Sequence, residues 1–404
     1  MTVLKAGDAI YGGYVLSKAD GIIFIRGAIP GEVVEVAIEE KKRDYSVVSV
    51  VDVVEPAESR TEPACPYFGE CGGCQLQFVS YEKQVEMKQY VLLDCLRRIG
   101  RIEMELSPSI HGEPFGYRHR AQFKVSKEGA IGFFREGTVE VIDIDFCPLC
   151  SDQINDALKR LRNMDLDDVR EVHITSGDNT IALLKGSGHP QEIADRFISE
   201  GFTGVALEDG SYRGTGAPYV SLDLNGMRFT VSPWGFLQSN WALNQELVRA
   251  LVDEIGPTEG KRILDLYAGG GNLSLALAAG AEETVAVEAA PASIADGKRN
   301  KSANRITGYK FVKGTAEEAR IEGPFDILLL DPPRAGLSKR AMLRVLELAP
   351  PLIAYVSCNP STLARDLKKL GEYYDIRNLR MIDLFPQTYH LEAMAILDRK
   401  EDEQ

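Results

Sequence analysis

The sequence predicts an α/β fold: a doubly wound, mostly parallel sheet in the last part of the chain, preceded by a small β-barrel and an α+β middle region. Three observations point there. From about residue 231, strand-like runs at 262–266, 284–287, 310–312, 325–330 and 352–356 alternate with helical patterns, as βαβ units require. The last two runs, 376–384 and 391–397, are separated by too few residues for a crossover helix, so they are expected to pair antiparallel. At the other end, residues 1–57 hold short β-branched runs between glycine and proline turns, the spacing of a small oligonucleotide-binding type of barrel.

Taken in order, the barrel strands are expected at 22–25, 33–38 and 47–54, parted by Gly12-Gly13, Ala19-Asp20-Gly21 and Ile29-Pro30-Gly31-Glu32. Residues 58–76 are rich in Pro and Gly and carry three cysteines. Ser80 is placed to cap a helix reaching about Arg98, with Val85, Leu92, Cys95, Leu96 and Ile99 on one face. Cys95 therefore reads as a core residue. Strands at 122–125, 139–144, 172–175 and 180–184 and helices at 152–163 and 190–199 make the middle region α+β. The expected divisions are 1–57, 58–230 and 231–404, with the helix near 80–99 able to pack on the last of them. The charged tail 399–404 is expected to fray.

With 404 residues the chain can bury two or three cores, and 44% hydrophobic and 26% charged residues are ordinary for a globular protein. No apolar run reaches transmembrane length and residues 1–8 show no signal-peptide pattern, so a cytoplasmic protein away from membranes is expected. The net charge of −14 argues against a uniformly basic nucleic-acid binder. It leaves local clusters: Lys41-Lys42-Arg43, Arg97-Arg98 with Arg101, and Arg118-His119-Arg120. Seven cysteines, an odd number, speak against a disulfide framework. No obligate protein partner is implied.

Four motifs carry chemistry. The first is a glycine loop, Tyr267-Ala268-Gly269-Gly270-Gly271-Asn272, between a strand ending near Asp265 and a helix expected to start near Asn272. Glycines let backbone approach a ligand, and a helix start offers free N–H groups. Glu288 ends the next strand, where a carboxylate can bind ribose hydroxyls. Ser274 stands in place of the third glycine of a dinucleotide fingerprint, so S-adenosylmethionine is the favoured ligand. The second motif, Asp331-Pro332-Pro333-Arg334, makes a rigid turn at the same sheet edge. The third is Cys358, followed by Asn359-Pro360, which stop the strand and start a helix. A buried small hydrophobe and a nucleophile are both open readings, the latter because a helix N-terminus can depress a thiol pKa. The fourth is Cys65-x5-Cys71-x2-Cys74, a strong metal signal in which Cys147 and Cys150 compete for the fourth position. Spacing alone leaves zinc and iron–sulfur open.

Together these residues resemble the S-adenosylmethionine-dependent RNA uracil-5 methyltransferases, over nearly the whole chain. Cys65-Pro66-Tyr67 and Cys71-Gly72-Gly73-Cys74-Gln75 are similar to that family's cluster loop. Phe146-Cys147-Pro148 is similar to its fourth ligand. Ser232-Pro233 with Phe236, Gln238 and Asn240, and Asp383-Leu384-Phe385-Pro386 with Thr388, His390 and Glu392, resemble its catalytic motifs. The resemblance implies a class I methyltransferase fold, a TRAM-like RNA-binding barrel over 1–57, and a [4Fe–4S] cluster on Cys65, Cys71, Cys74 and Cys147, with Cys150 outside. It implies S-adenosylmethionine contacts from Gln238, Tyr267, Asn272, Glu288, Thr315 and Asp331, Cys358 as nucleophile and Glu392 as general base. The loop departs from the family's frequent Phe-Cys-Gly-Xaa-Gly, and Thr315 stands where a polar amide is usual.

The implied reaction is methylation of uracil C5 through a covalent Cys–C6 adduct, on a uridine of 23S rRNA or, alternatively, of the tRNA T-loop. Two other readings differ in kind. An idle RNA-binding metal protein would not need both Cys358 and Glu392, and an exocyclic-amine methyltransferase would not need Cys358.

Overall fold

The computed structural model describes residues 2–401 apart from positions 20, 167 and 187. The middle of the expected turn at 19–21 and the end of the tail, 402–404, lie outside the described residues.

The first region is a curled six-stranded sheet in the spatial order Thr2–Lys5, Val33–Lys41, Tyr45–Glu55, Ile22–Arg26, Tyr14–Ser17, Ala9–Ile10. The pairings are antiparallel except that of Ile22–Arg26 with Tyr45–Glu55. Alternation sends Val15, Ile25, Val34, Val36 and Val48 into a small core. Register shifts along the long hairpin, between Glu35 and Val36 and between Ile38 and Glu40, bend it around that core. The strands 2–5, 9–10 and 14–17 had no sequence expectation, because runs this short are set by their partners.

The middle region is a seven-stranded sheet backed by the helices Asp152–Arg162 and Pro190–Ser199, whose apolar faces fill one core with Phe123, Val172, Ile174 and Val205. Ser151 caps the first helix, its side chain accepting from the Ile154 amide.

The last sheet has eight strands. Five parallel ones run in the order Tyr309–Lys313, Glu283–Glu288, Arg262–Leu266, Ile327–Leu330, Leu352–Ser357. Glu392–Arg399 follows antiparallel, and Tyr374–Ile382 pairs antiparallel with it, as expected. The strand order reverses between Arg262–Leu266 and Ile327–Leu330, so their carboxyl ends open the crevice where ligands bind in such sheets. The eighth strand, Ser107–Ile110, comes from far upstream and runs parallel to Tyr374–Ile382.

The helix near 80–99 spans Tyr81–Cys95 and runs on into a π-turn, Leu96–Gly100. It buries Val85, Met87, Val91, Leu92 and Cys95 in the same core as Leu363, Leu367 and Ala393. Ser80 stands at its N-cap without a side-chain capping bond. Cys95 is buried, with its sulfur 3.6 Å from Ser361 Oγ. The hairpin Val220–Leu224/Met227–Val231 packs with the helix Trp241–Ile255 on the sheet's other face.

Candidate active site

Cys358 follows directly on the strand Leu352–Ser357. Asn359 caps the next helix, Pro360–Leu370: its Oδ1 accepts from the amides of Ser361 at 3.0 Å and Thr362 at 3.4 Å. Its Nδ2 donates to the Arg334 carbonyl at 3.0 Å, and Thr362 Oγ1 donates to the same carbonyl at 3.2 Å. The cysteine corner is thereby locked to the Asp331-Pro332-Pro333-Arg334 turn. On the other side, the antiparallel pairing ends with Ser357 opposite Ala393, which carries Cys358 to the level of Glu392.

Glu392 is only 3% exposed, and its Oε1 has no hydrogen-bond partner. Burial, with Asp331 adding to it, holds its carboxyl well above the usual range, against the opposing charge of Arg334. Asp331 is likewise raised by burial. The Cys358 thiol is pushed up to about 11 by burial, then by Glu392 and Asp331, while the nearby Arg334 guanidinium pulls the other way. The sequence left a depressed thiol pKa open as one reading; burial and two nearby carboxyls raise it instead. The ligand-free thiol is protonated at neutral pH.

The glycine loop lies across the crevice. Tyr267 at φ +74°, Gly269 at +54° and Gly271 at +89° take left-handed backbone. At Gly271 a Cβ would also sit 2.8 Å from the Tyr309 hydroxyl, so the loop admits no side chain there. Glu288 fastens the loop: its Oε2 accepts the Gly269 amide at 2.8 Å and its Oε1 the Ala290 amide at 2.7 Å. Each oxygen keeps acceptor capacity for a ligand hydroxyl. Beneath the loop Asp265 is buried and pushed up to about 8 by that burial, with Ser274 Oγ donating to it.

The other expected contacts divide. Gln238 is half-buried in the turn before Trp241–Ile255, and Asp331 ends Ile327–Leu330 at the crevice. Asn272 turns to Asn244, the two amides exchanging reciprocal hydrogen bonds of 2.8 Å. Thr315 is exposed, near the Glu317 carboxylate that accepts from Ser338 Oγ at 2.7 Å. The helix expected near Asn272 starts at Ser274 and runs only to Ala278, because residues 271–273 stay in turns.

The sequence profile of the family described as tRNA (Uracil-5-)-methyltransferase matches residues 220–400. An uncharacterized RNA methyltransferase of Aquifex aeolicus is 32% identical, over 98% of each chain. A 23S rRNA (uracil(1939)-C(5))-methyltransferase RlmD of Dechloromonas aromatica is 34% identical, over 93% of this chain and 94% of its own. The chain belongs to the RNA (uracil-5-)-methyltransferase family. Its fold agrees: the tRNA (uracil-54, C5)-methyltransferase of Pyrococcus abyssi, solved with S-adenosyl-L-homocysteine, superposes with a TM-score of 0.78 at 27% identity, over 98% of this chain and 99% of that one. The methyl donor of this enzyme is S-adenosylmethionine.

In this methyltransferase Cys65, Cys71, Cys74 and Cys147 line one small cavity of about 40 Å³ with Arg118 and aromatic side chains, and Cys150 lies outside its lining. Among the described residues, no three His, Cys, Asp or Glu side chains converge as a single metal ion requires. The donor set is four thiols spread around a cavity. Thiolates of this kind are the donors an iron–sulfur cluster takes. Burial pushes Cys74 up to about 12, whereas Cys150 donates to Cys147 and, with Arg118, brings it down to about 6.

Several residues of the methyltransferase site carried no signal of their own. Lys88 donates to Asp383 Oδ1 at 2.7 Å and to the Phe385 carbonyl at 3.0 Å, with both side chains of the ion pair at 3% exposure or less. The Gln387 carbonyl accepts the amides of Gln75 and Leu76, each at 3.0 Å, and Gln84 bonds the Gln387 side chain at 2.9 Å. Cysteine loop and catalytic loop are thus one network. Of the basic clusters, Arg118 faces the cysteine cavity and Arg120 holds the Ser232 carbonyl at 3.1 Å, so neither is a surface contact; Arg97 and Arg98 pair with Asp94. No helix among the described residues is long and apolar enough to cross a membrane.

Proposed function

We propose that this enzyme methylates C5 of a uridine in 23S rRNA through a covalent adduct between Cys358 and C6. The observation that carries this reading is the pairing of Cys358 with a buried, partly unpartnered Glu392 at the mouth of the crevice. C5 of uracil is a weak nucleophile. Cys358 gives up its proton to solvent and its sulfur adds to C6, which moves the π electrons onto O4 and makes C5 an enolate carbon. S-adenosylmethionine, when bound near Gln238, Tyr267, Glu288 and Asp331, supplies the methyl group and a positive charge. That charge favours the thiolate of Cys358 and the carboxylate of Glu392. Glu392 then takes the C5 proton, the C6–S bond breaks, and the ring double bond returns.

The test separates the two residues. Cys358→Ala removes methylation and any covalent RNA–protein species. Glu392→Gln retains addition and methyl transfer but stalls at proton removal, so a methylated adduct accumulates on a denaturing gel. An adduct that survives Cys358→Ala overturns the nucleophile assignment. Near-wild-type turnover of Glu392→Gln overturns the base.

The rRNA target is favoured by the curated relatives, of which those from Dechloromonas aromatica, Alkalilimnicola ehrlichii and Shewanella sediminis carry the same 23S rRNA name. A tRNA uridine is the second reading, favoured by the Pyrococcus abyssi enzyme, whose length this chain matches almost end to end. Mapping 5-methyluridine in rRNA and tRNA with and without the protein decides between them. Cys65, Cys71, Cys74 and Cys147 would hold a [4Fe–4S] cluster, with the 1–57 barrel gripping RNA in a TRAM-like manner through Lys41, Lys42 and Arg43. Protein purified without oxygen should then be brown and carry iron and acid-labile sulfide; colourless protein with stoichiometric zinc would sink the cluster.

A further inference from the structure

The barrel reaches the reaction centre. Its second strand buries Ala9 in the core that also holds Cys95, Tyr355, Leu391 and Ala393. The turn that follows projects Tyr11, and Gly12 and Gly13, at φ +107° and +82°, reverse the chain behind it. The Tyr11 ring meets Tyr389 edge-on, at 5.8 Å between centroids and 83° between planes. Gly13 is so close that a Cβ there would lie 3.3 Å from the Tyr389 ring. The Tyr389 ring lies 4.2 Å from that of His390, tilted by 46°, His390 Nε2 accepts from Arg334 at 3.4 Å, and the Arg334 charge reaches Cys358. Tyr11 is half-buried, and Cys358 and Arg334 lie within electrostatic reach of its hydroxyl.

An aromatic wall therefore stands beside the nucleophile, and one of its three rings comes from the opposite end of the chain. Addition at C6 needs the pyrimidine held with one face toward the sulfur, and an aromatic surface can hold any base that way without hydrogen-bond readout. We propose that Tyr11 is a substrate-positioning residue: the barrel supplies one wall of the pocket for the uridine, and the Tyr11 ring sets that base over Cys358. This rests on the uridine-methylating function proposed above and assigns the barrel a part in the chemical step, beyond gripping RNA.

The experiment is single-turnover methyl transfer to a 23S rRNA transcript, at saturating RNA and S-adenosylmethionine, for the full-length wild type and for Tyr11→Leu, Tyr11→Ala and Tyr11→Phe. Tyr11→Leu keeps apolar bulk in case the alanine variant folds poorly. The leucine and alanine variants should lose roughly tenfold to a hundredfold in rate, the range of a lost base–aromatic stack. Their S-adenosylmethionine affinity should be kept, and Tyr11→Phe should restore most of the rate. A Tyr11→Leu enzyme as fast as wild type at saturating RNA overturns the proposal, as does a Tyr11→Phe enzyme as slow as Tyr11→Leu. A wild type that makes no 5-methyluridine in either rRNA or tRNA overturns the functional reading itself. An active wild type beside an unimpaired leucine variant overturns Tyr11 alone.

Discussion

Cys358 and Cys147 are both partly buried thiols with an arginine charge nearby, yet their surroundings push them in opposite directions. Cys358 lies beside Glu392 and Asp331, and burial with those acids drives it up to about 11 despite Arg334. Cys147 accepts a hydrogen bond from Cys150 and faces Arg118, and sits at about 6. The acidic thiol is the one in the cysteine cavity, and the proposed nucleophile is the one held as a thiol. The neighbours set the difference: a hydrogen-bond donor and a cation favour the thiolate of Cys147, whereas burial and nearby acids favour the thiol of Cys358.

The largest effect should come from the sulfur itself. Cys358→Ala should lower methyl transfer by a factor on the order of 10⁴ to 10⁶, as loss of a covalent nucleophile does elsewhere, whereas Cys147→Ala should leave a measurable rate, reduced through the Gln75–Gln387 contacts. Radiolabel transfer to RNA checks both, and equal, complete loss in both variants would erase the distinction between the sites.

Next in size is the buried tie between the two regions. Lys88→Met leaves Asp383 charged and unpaired in the core, at a cost of about 3–5 kcal/mol, read as a lower denaturation midpoint. Unchanged stability would mean that the pair does not couple the Tyr81–Cys95 helix to the catalytic loop.

The thiol contrast has its own pH signature. Below its pKa each unit of pH raises the thiolate fraction tenfold. Alkylation of Cys358 by iodoacetamide, followed by mass spectrometry of its peptide, should therefore climb steadily between pH 7 and 10 in the ligand-free protein. Added S-adenosylhomocysteine, which lacks the sulfonium charge, should leave the profile nearly in place. A plateau near pH 7 would falsify the raised thiol.

The smallest effect belongs to the barrel tip. Replacing Lys41, Lys42 and Arg43 by alanine should weaken RNA binding several-fold and flatten its salt dependence. The maximal rate should be affected less than by Tyr11→Leu, which makes the two faces of the barrel separable.

Much of the site was legible because its parts are local. The order of strand, glycine loop, strand and acid is a contiguous pattern, and period-2 and helical apolar spacings placed the parallel strands of the sheet to within a few residues. The Cys65-x5-Cys71-x2-Cys74 spacing likewise announced a thiol cluster. The strand Ser107–Ile110 was not legible, since four residues with a central Pro108 show no period and acquire strand geometry only from Tyr374–Ile382. Nor were Lys88, Gln84 and Tyr11: each sits in a segment whose local pattern is satisfied without it, and its partner lies hundreds of residues away.

The sequence by itself determined the class of chemistry: the cofactor loop and the thiol cluster are residue types at short, fixed spacings, Cys358 stood open as a nucleophile, and the family resemblance supplied Glu392 as the base. Only the tertiary structure decided their charge states and their neighbours. It turned Asn272 to Asn244, drew Arg118 and Arg120 inside, raised Cys358 and lowered Cys147, and brought Tyr11 to the catalytic wall. The reason is that burial and Coulomb interactions depend on distance through space. A thiol's acidity is set by acids and cations within a few ångströms, and spacing along the chain does not encode those distances.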